Sequence, residues 1–146
     1  MYCESTSSGQ SFETQRLINM KENKFHRVSP FIPVKNLMQT LDYYRDRFGF
    51  YDEWTWGDID GGIRRDDMRL LFTEEPDYVG TINNENTHFV LIWFVDNVDD
   101  IYKEFKERNI KIENDIESKP WGIREFSIQD LNGYLIRISE GITGAK

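Results

Sequence analysis

Leu37, Leu41, Tyr44 and Phe48 recur at a spacing that returns to one face of a helix. Asn36 stands where a side-chain oxygen accepts a free first-turn amide, and Gly49 where a helix leaves in the left-handed conformation. The pattern predicts a helix from about Leu37 to Phe48. Before it, Phe25–Val34 reads as an extended strand interrupted by Pro30 and Pro33. Proline lacks the ladder donor, which places such a strand at an edge or a subunit seam. Strands follow near Tyr51–Trp56, Gly61–Arg65 and Arg69–Thr73. Glu74–Asn86 is polar, carries Pro76 and Gly80, and reads as a linker. The second half opens with a strand over His88–Val95. Asp96 and Asn97 then start a helix with Val98, Ile101, Tyr102 and Phe105 on one face, closed by Asn109. Further strands are expected near Lys111–Glu113, Gly122–Gln129 and Tyr134–Ser139. Asp130–Gly133 ends in Asn-Gly, a strong hairpin-turn signal.

The two halves repeat. A shift of 61 positions lays Val34 on Val95, Asn36 on Asn97, Leu37 on Val98, Leu41 on Tyr102, Tyr44 on Phe105 and Arg47 on Arg108. Each half reads strand, helix, then three strands. That is two copies of one supersecondary unit, each burying its face against another copy. Residues 1–24 stand apart as a polar, initially Ser-rich tail, with a short helix expected over Phe12–Met20. One domain is expected over residues 25–141, as modules 25–76 and 87–141, followed by a short tail at 142–146.

Composition narrows the chemistry. The chain has 146 residues, enough for one domain with a sizeable core and no covalent staples. Its single cysteine, Cys3, excludes an intrachain disulfide and Cys-x-x-Cys metal knuckles. Two histidines, His26 and His88, exclude a three-histidine zinc site. A net charge of −8 argues against nucleic acid and anionic membranes as partners, and suits a cationic ligand. No apolar run has the length of a membrane span and the N-terminus lacks a signal-peptide core, so a cytoplasmic protein is expected.

Three stretches resemble the vicinal oxygen chelate superfamily, which includes glyoxalase I, extradiol dioxygenases and the bleomycin resistance proteins. They are Ser29–Leu37 with Asp42-Tyr43-Tyr44 and Phe48-Gly49-Phe50; Val95–Tyr102; and Pro120–Phe126 with the Asp130–Gly133 turn after it. The last resembles the bleomycin-resistance branch most specifically, as does Gly61–Asp67. Leu131 departs from the proline that relatives usually carry. The resemblance spans roughly residues 26–140. It implies an α+β fold in which two βαβββ modules form an open curved sheet around a cleft. It also implies a homodimer in which the first strand is exchanged and two chains form the ligand grooves.

Enzymes of the superfamily hold a divalent metal with His, Gln or Glu. By the motifs and the repeat, the four positions fall at Ser29, Leu71, Val90 and Arg137. Leu71 and Val90 have no donor atoms, Arg137 is a cation, and Ser29 is a poor ligand without charged companions. No cofactor is expected, and no catalytic residue is assigned. The alternative is a metal-dependent lyase, isomerase or dioxygenase with atypical ligands, His88 and Glu140. The reading favoured here is a metal-free protein that holds an aromatic or cationic small molecule. Trp121 and Gly122 lie at the strand entrance where relatives stack on ligand. Trp54 and Trp56 share a strand face, with Glu53 and Asp60 as nearby acids. By alignment, Glu53 and Trp54 match an acid–aromatic pair that contacts ligand in bleomycin-binding relatives. Of Trp93 and Phe94, one is expected in the core and the other in the cleft. Arg64 and Arg137 would add positive charge.

Overall fold

The computed structural model describes residues 11–17 and 22–141. Residues 11–17 are helical and exposed; the rest of the expected N-terminal helix, Cys3 and residues 142–146 lie outside the described residues. Then come β1 (Phe31–Val34), α1 (Leu37–Phe48), β2 (Tyr51–Trp56), β3 (Asp60–Arg65), β4 (Met68–Glu74), α2 (Pro76–Ile82), β5 (Val90–Phe94), α3 (Val98–Glu107), β6 (Asn114–Ser118), β7 (Ile123–Gln129) and β8 (Leu135–Gly141). They build two four-stranded sheets of the same design, ordered β1-β4-β3-β2 and β5-β8-β7-β6. In each, the first strand pairs parallel with the last and the other contacts are antiparallel.

α1 and α3 begin where the sequence places their caps. Asn36 Oδ1 accepts from the Gln39 amide at 2.9 Å, and Asn97 Oδ1 from the Asp100 amide at 3.1 Å. A second carboxylate helps at each start. Glu74 takes the Leu37 amide and Glu140 the Val98 amide, satisfying donors that the first turn leaves free. Gly49 closes α1 at φ 75°, and Asn109 follows α3 at φ 59°. The buried face of α1 is Leu37, Thr40, Leu41, Tyr44 and Phe48.

The modules join through their helices. Phe48 stacks on Phe105 at 5.6 Å between centroids and meets Trp93 edge-on at 5.9 Å. Arg65 forks onto Glu104, with both N–H···O contacts at 2.7–2.8 Å. At the other end of the seam the β7–β8 turn inserts into the first module. Tyr44 donates to Asp130 at 2.7 Å, Asn132 donates to Thr40 and accepts from the Lys35 amide, and the Tyr134 hydroxyl donates to the Pro33 carbonyl.

Three expected elements differ. Only Phe31–Val34 of the long first strand is paired; of residues 25–30, Pro30 accepts from the Leu71 amide through its carbonyl, and residues 25–28 are exposed. β1 itself pairs with β4 of the same chain. The expected linker Glu74–Asn86 contains α2, because Pro76 fits the first helical turn and Val79 anchors the helix in the core. The strand expected at Lys111–Glu113 lies instead at Asn114–Ser118. Ile110 turns into the core before the chain reaches the sheet, and pairing with β7 rather than apolar alternation defines the strand.

Candidate functional site

Strand alternation gives each sheet one face against its helix and one open face. On the first sheet the open face carries a row of Phe31, Leu71, Gly62 and Trp54, set by the pairings Phe31↔Leu71, Gly62↔Leu71 and Trp54↔Gly62. The Trp54 indole lies directly over Gly62: a β-carbon there would stand 2.7 Å from Trp54 Nε1. Glycine is thus the floor that lets the indole lie flat. Trp56 pairs with Asp60 in the next row and is 76% exposed, so this aromatic and this acid are brought together.

Glu53 is not part of that face. Strand alternation turns it to the helix side, where it accepts from Arg45 Nη1 at 2.7 Å. Arg45 is held by Asp46, Glu53 and Asp42, whose hydrogen bonds push its pKa up. Arg64 shares the open face of Trp54 but is occupied: its guanidinium lies 4.9 Å from the Tyr51 ring centre, and its Nε donates to Asp52 at 2.8 Å. A register shift between Tyr51 and Trp54, with Asp52 at φ 56°, creates this arrangement.

The second sheet opens Val90, Ile92 and Phe94 on β5. Arg137 lies beside Ile92 and Ser127, on the same face. Arg137 is pinned by buried Glu125, which receives its Nε and Nη2 at 2.9–3.2 Å and the Ser139 hydroxyl at 2.8 Å. Its Nη1 makes no bond among the described residues. Trp121 is 62% exposed in the β6–β7 turn, where Gly122 adopts φ 86°. The Lys119 ammonium stands 6.0 Å from the Trp121 ring centre. Of the pair Trp93 and Phe94, Trp93 faces the core, packed on Phe48 and Phe50, and Phe94 takes the open position. Phe31 and Ile92, which the sequence analysis does not single out, join Phe94 on the open faces. The alternation of Val90, Ile92 and Phe94 carried that signal.

Of the positions that the resemblance implies for a metal, Leu71 and Arg137 hold equivalent places on the last strands of the two sheets. Phe31–Leu71 in the first module corresponds to Ile92–Arg137 in the second, and Val90 shares the open face of Ile92. Their side chains do not fit a divalent cation, because two are hydrocarbon and one is a guanidinium. The alternative pair is separated. His88 Nδ1 lies 2.7 Å from the Gly133 carbonyl, just before β8, whereas Glu140 caps α3 near the far end of that strand.

Residues 24–138 match the Glyoxalase/Bleomycin resistance protein/Dioxygenase superfamily, and the chain belongs to that family. The solved structures agree in fold. The bleomycin-binding protein of Streptomyces verticillus, complexed with copper(II)-bleomycin, superposes with a TM-score of 0.66 at 19% identity, covering 82% of this chain and 98% of that one. The bleomycin resistance determinant encoded on transposon Tn5 gives 0.67 at 20% identity, covering 80% and 98%. Lactoylglutathione lyase from Agrobacterium tumefaciens gives 0.65 at 17%, covering 84% and 98%. No curated protein matches the chain by sequence.

Proposed function

We propose that this chain is a metal-free small-molecule binding protein of the bleomycin-resistance type. Two copies close a cleft in which an aromatic or cationic ligand is held stoichiometrically. The observation that carries the reading is the character of the two open faces. They expose Phe31, Trp54, Trp56, Ile92 and Phe94, with Trp121 exposed in the β6–β7 turn, and the resemblance assigns Leu71, Val90 and Arg137 to positions that hold a metal in the family's enzymes. Without a Lewis acid at those positions, polarisation of paired substrate oxygens lacks its agent. Flat aromatic surfaces with Asp60 beside them suit stacking and cation–π contact instead. Exposed aromatic and aliphatic side chains grouped in this way are a feature of interaction faces, and the reading takes a second copy as their occupant. Glu125, by holding Arg137 through Nε and Nη2, leaves Nη1 available to donate to a ligand carbonyl or anion.

The test is a fluorescence titration of the metal-stripped protein with bleomycin, repeated with Trp121→Ala. Saturable quenching near one ligand per chain, weakened in the variant, supports a metal-free cleft. Absence of any response removes bleomycin as the ligand. Stoichiometric zinc, nickel or iron in protein purified without chelators overturns the metal-free reading.

A further inference from the structure

The repeat makes two equivalent seams between the modules, and among the described residues only one is filled. Counting outward from Gly62–Leu71 and its counterpart Ser127–Arg137 equates Arg65 with Asp130 and Met68 with Tyr134. The shift of 61 equates Lys35 with Asp96, Thr40 with Ile101 and Tyr44 with Phe105. In the first seam the β7–β8 turn occupies the groove, with Asp130 on Tyr44 and Asn132 on Lys35 and Thr40. In the second seam the β3–β4 turn is the tight pair Asp66-Asp67. Nothing corresponds to Asn132, and Met68 replaces the longer reach of Tyr134.

What remains is a cavity of about 400 Å³ bounded by these same counterparts, Met68, Asp96, Ile101 and Phe105, with Trp93 and Phe50 in its floor. That volume lies within the range of small-molecule sites, roughly 300–1,000 Å³. The polar groups that bind the inserted turn in the first seam are apolar here: Thr40 has become Ile101, and the Tyr44 hydroxyl has no counterpart on Phe105. The mouth carries Asp66, Asp67, Asp96 and Asp100. The only cation in the lining, Arg65, is already neutralised by Glu104. Among the described residues no three acidic, histidine or cysteine side chains converge as a metal cage, so these carboxylates act as a field rather than a chelator.

We infer that this seam, which shares Phe94 with the open face of the second sheet but none of the exposed tryptophans, is a second binding site for a small organic cation with an aromatic body. The aromatic part replaces the missing turn against Phe105, Ile101 and Trp93. The charge sits at the aspartate mouth, where apolar walls strengthen attraction.

The chain contains four tryptophans, and only Trp93 lines the seam. A W54F/W56F/W121F variant therefore makes Trp93 the sole indole reporter. Ethidium, a planar aromatic cation, is titrated against it, with neutral phenanthridine as the uncharged comparison. Saturable quenching of Trp93 at one ethidium per chain is expected. In the same background, Asp67→Asn/Asp96→Asn/Asp100→Asn weakens it by about tenfold or more. Ile101→Phe, which fills the cavity, abolishes it. The surface aspartate variant decides the matter if the filled variant does not fold. Lack of saturable quenching overturns the inference, as does equal affinity in the aspartate variant or equal binding of phenanthridine. Since the open-face tryptophans are absent from the reporter chain, failure here is distinct from failure of the sheet-face reading.

Discussion

Gly62 has no side chain, and the open face of the first sheet depends on that. A methyl group there would stand 2.7 Å from the Trp54 indole nitrogen and 2.8 Å from the Leu70 carbonyl. The indole swings away more easily than backbone moves, so Gly62→Ala displaces Trp54 from its flat seat. The expected cost is about 1–3 kcal/mol of stability, typical of overpacking. Thermal unfolding checks the stability, and a red-shifted Trp54 emission in a W56F/W93F/W121F background checks the displacement. The Trp54 strand position was legible from two-residue alternation, but its glycine floor was not, because cross-strand partners depend on register. Glu53 shows the same limit from the other side. It neighbours Trp54 in sequence, yet a strand sends neighbours to opposite faces, and Arg45 of α1 captures it.

At the scale of elements, Asp130 ties the β7–β8 turn to α1. Its carboxylate is buried, and desolvation raises its pKa despite hydrogen bonds from Tyr44 and the Tyr134 and Asn132 amides, which lower it. A folded-state pKa above the unfolded one means the native state binds the proton more tightly. This group's contribution to stability therefore increases as pH falls through its folded pKa and is diminished above it. Asp130→Asn cannot take up that proton, so the stability gap between wild type and variant is expected to widen from pH 7 toward pH 4. Urea unfolding at several pH values measures it. Glu104 behaves oppositely. The hydrogen bond from Arg65 lowers its pKa, so its stabilisation is full above the ordinary carboxylate range and is lost as pH falls through the lowered value. Glu104→Gln is expected to cost about 1 kcal/mol at pH 7, a gap that closes in acid. Glu140 belongs to this scale as well. Glu140→Ala removes a helix-start acceptor and costs about 1 kcal/mol, with the metal content of the purified protein unchanged.

The whole molecule presents two open faces with exposed aromatic side chains, which no element among the described residues covers. If a second copy covers them, Phe31→Glu places a charge in the contact and yields a monomer by sedimentation at micromolar concentration. On that reading the wild type is expected to sediment as a dimer whose melting temperature rises with concentration. Among the described residues no helix is long and apolar enough to cross a membrane.

The boundaries of α1, the start of α3 and most strands were legible because local rules decide them. Caps, helical spacing and turn residues act over a few positions, and the repeat doubled the signal. The family was legible too, since motifs such as Pro120-Trp121-Gly122 survive as short strings. Elements ruled by distant partners were not. α2 was hidden behind Pro76 and Gly80 until Val79 found the core, and β6 is a strand only because β7 pairs with it. The same holds for the candidate site. Aromatic and acidic residues can be read from a sequence, but Trp93 and Phe94 exchange roles with a single step of register. The pinning of Arg137 by Glu125 and the empty seam beside Phe105 arise only when strands and modules meet. Sequence determined which local elements and which family, through short-range conformational preferences. Tertiary structure decided which side chains share a surface, because strand pairing and module packing join residues far apart in the chain.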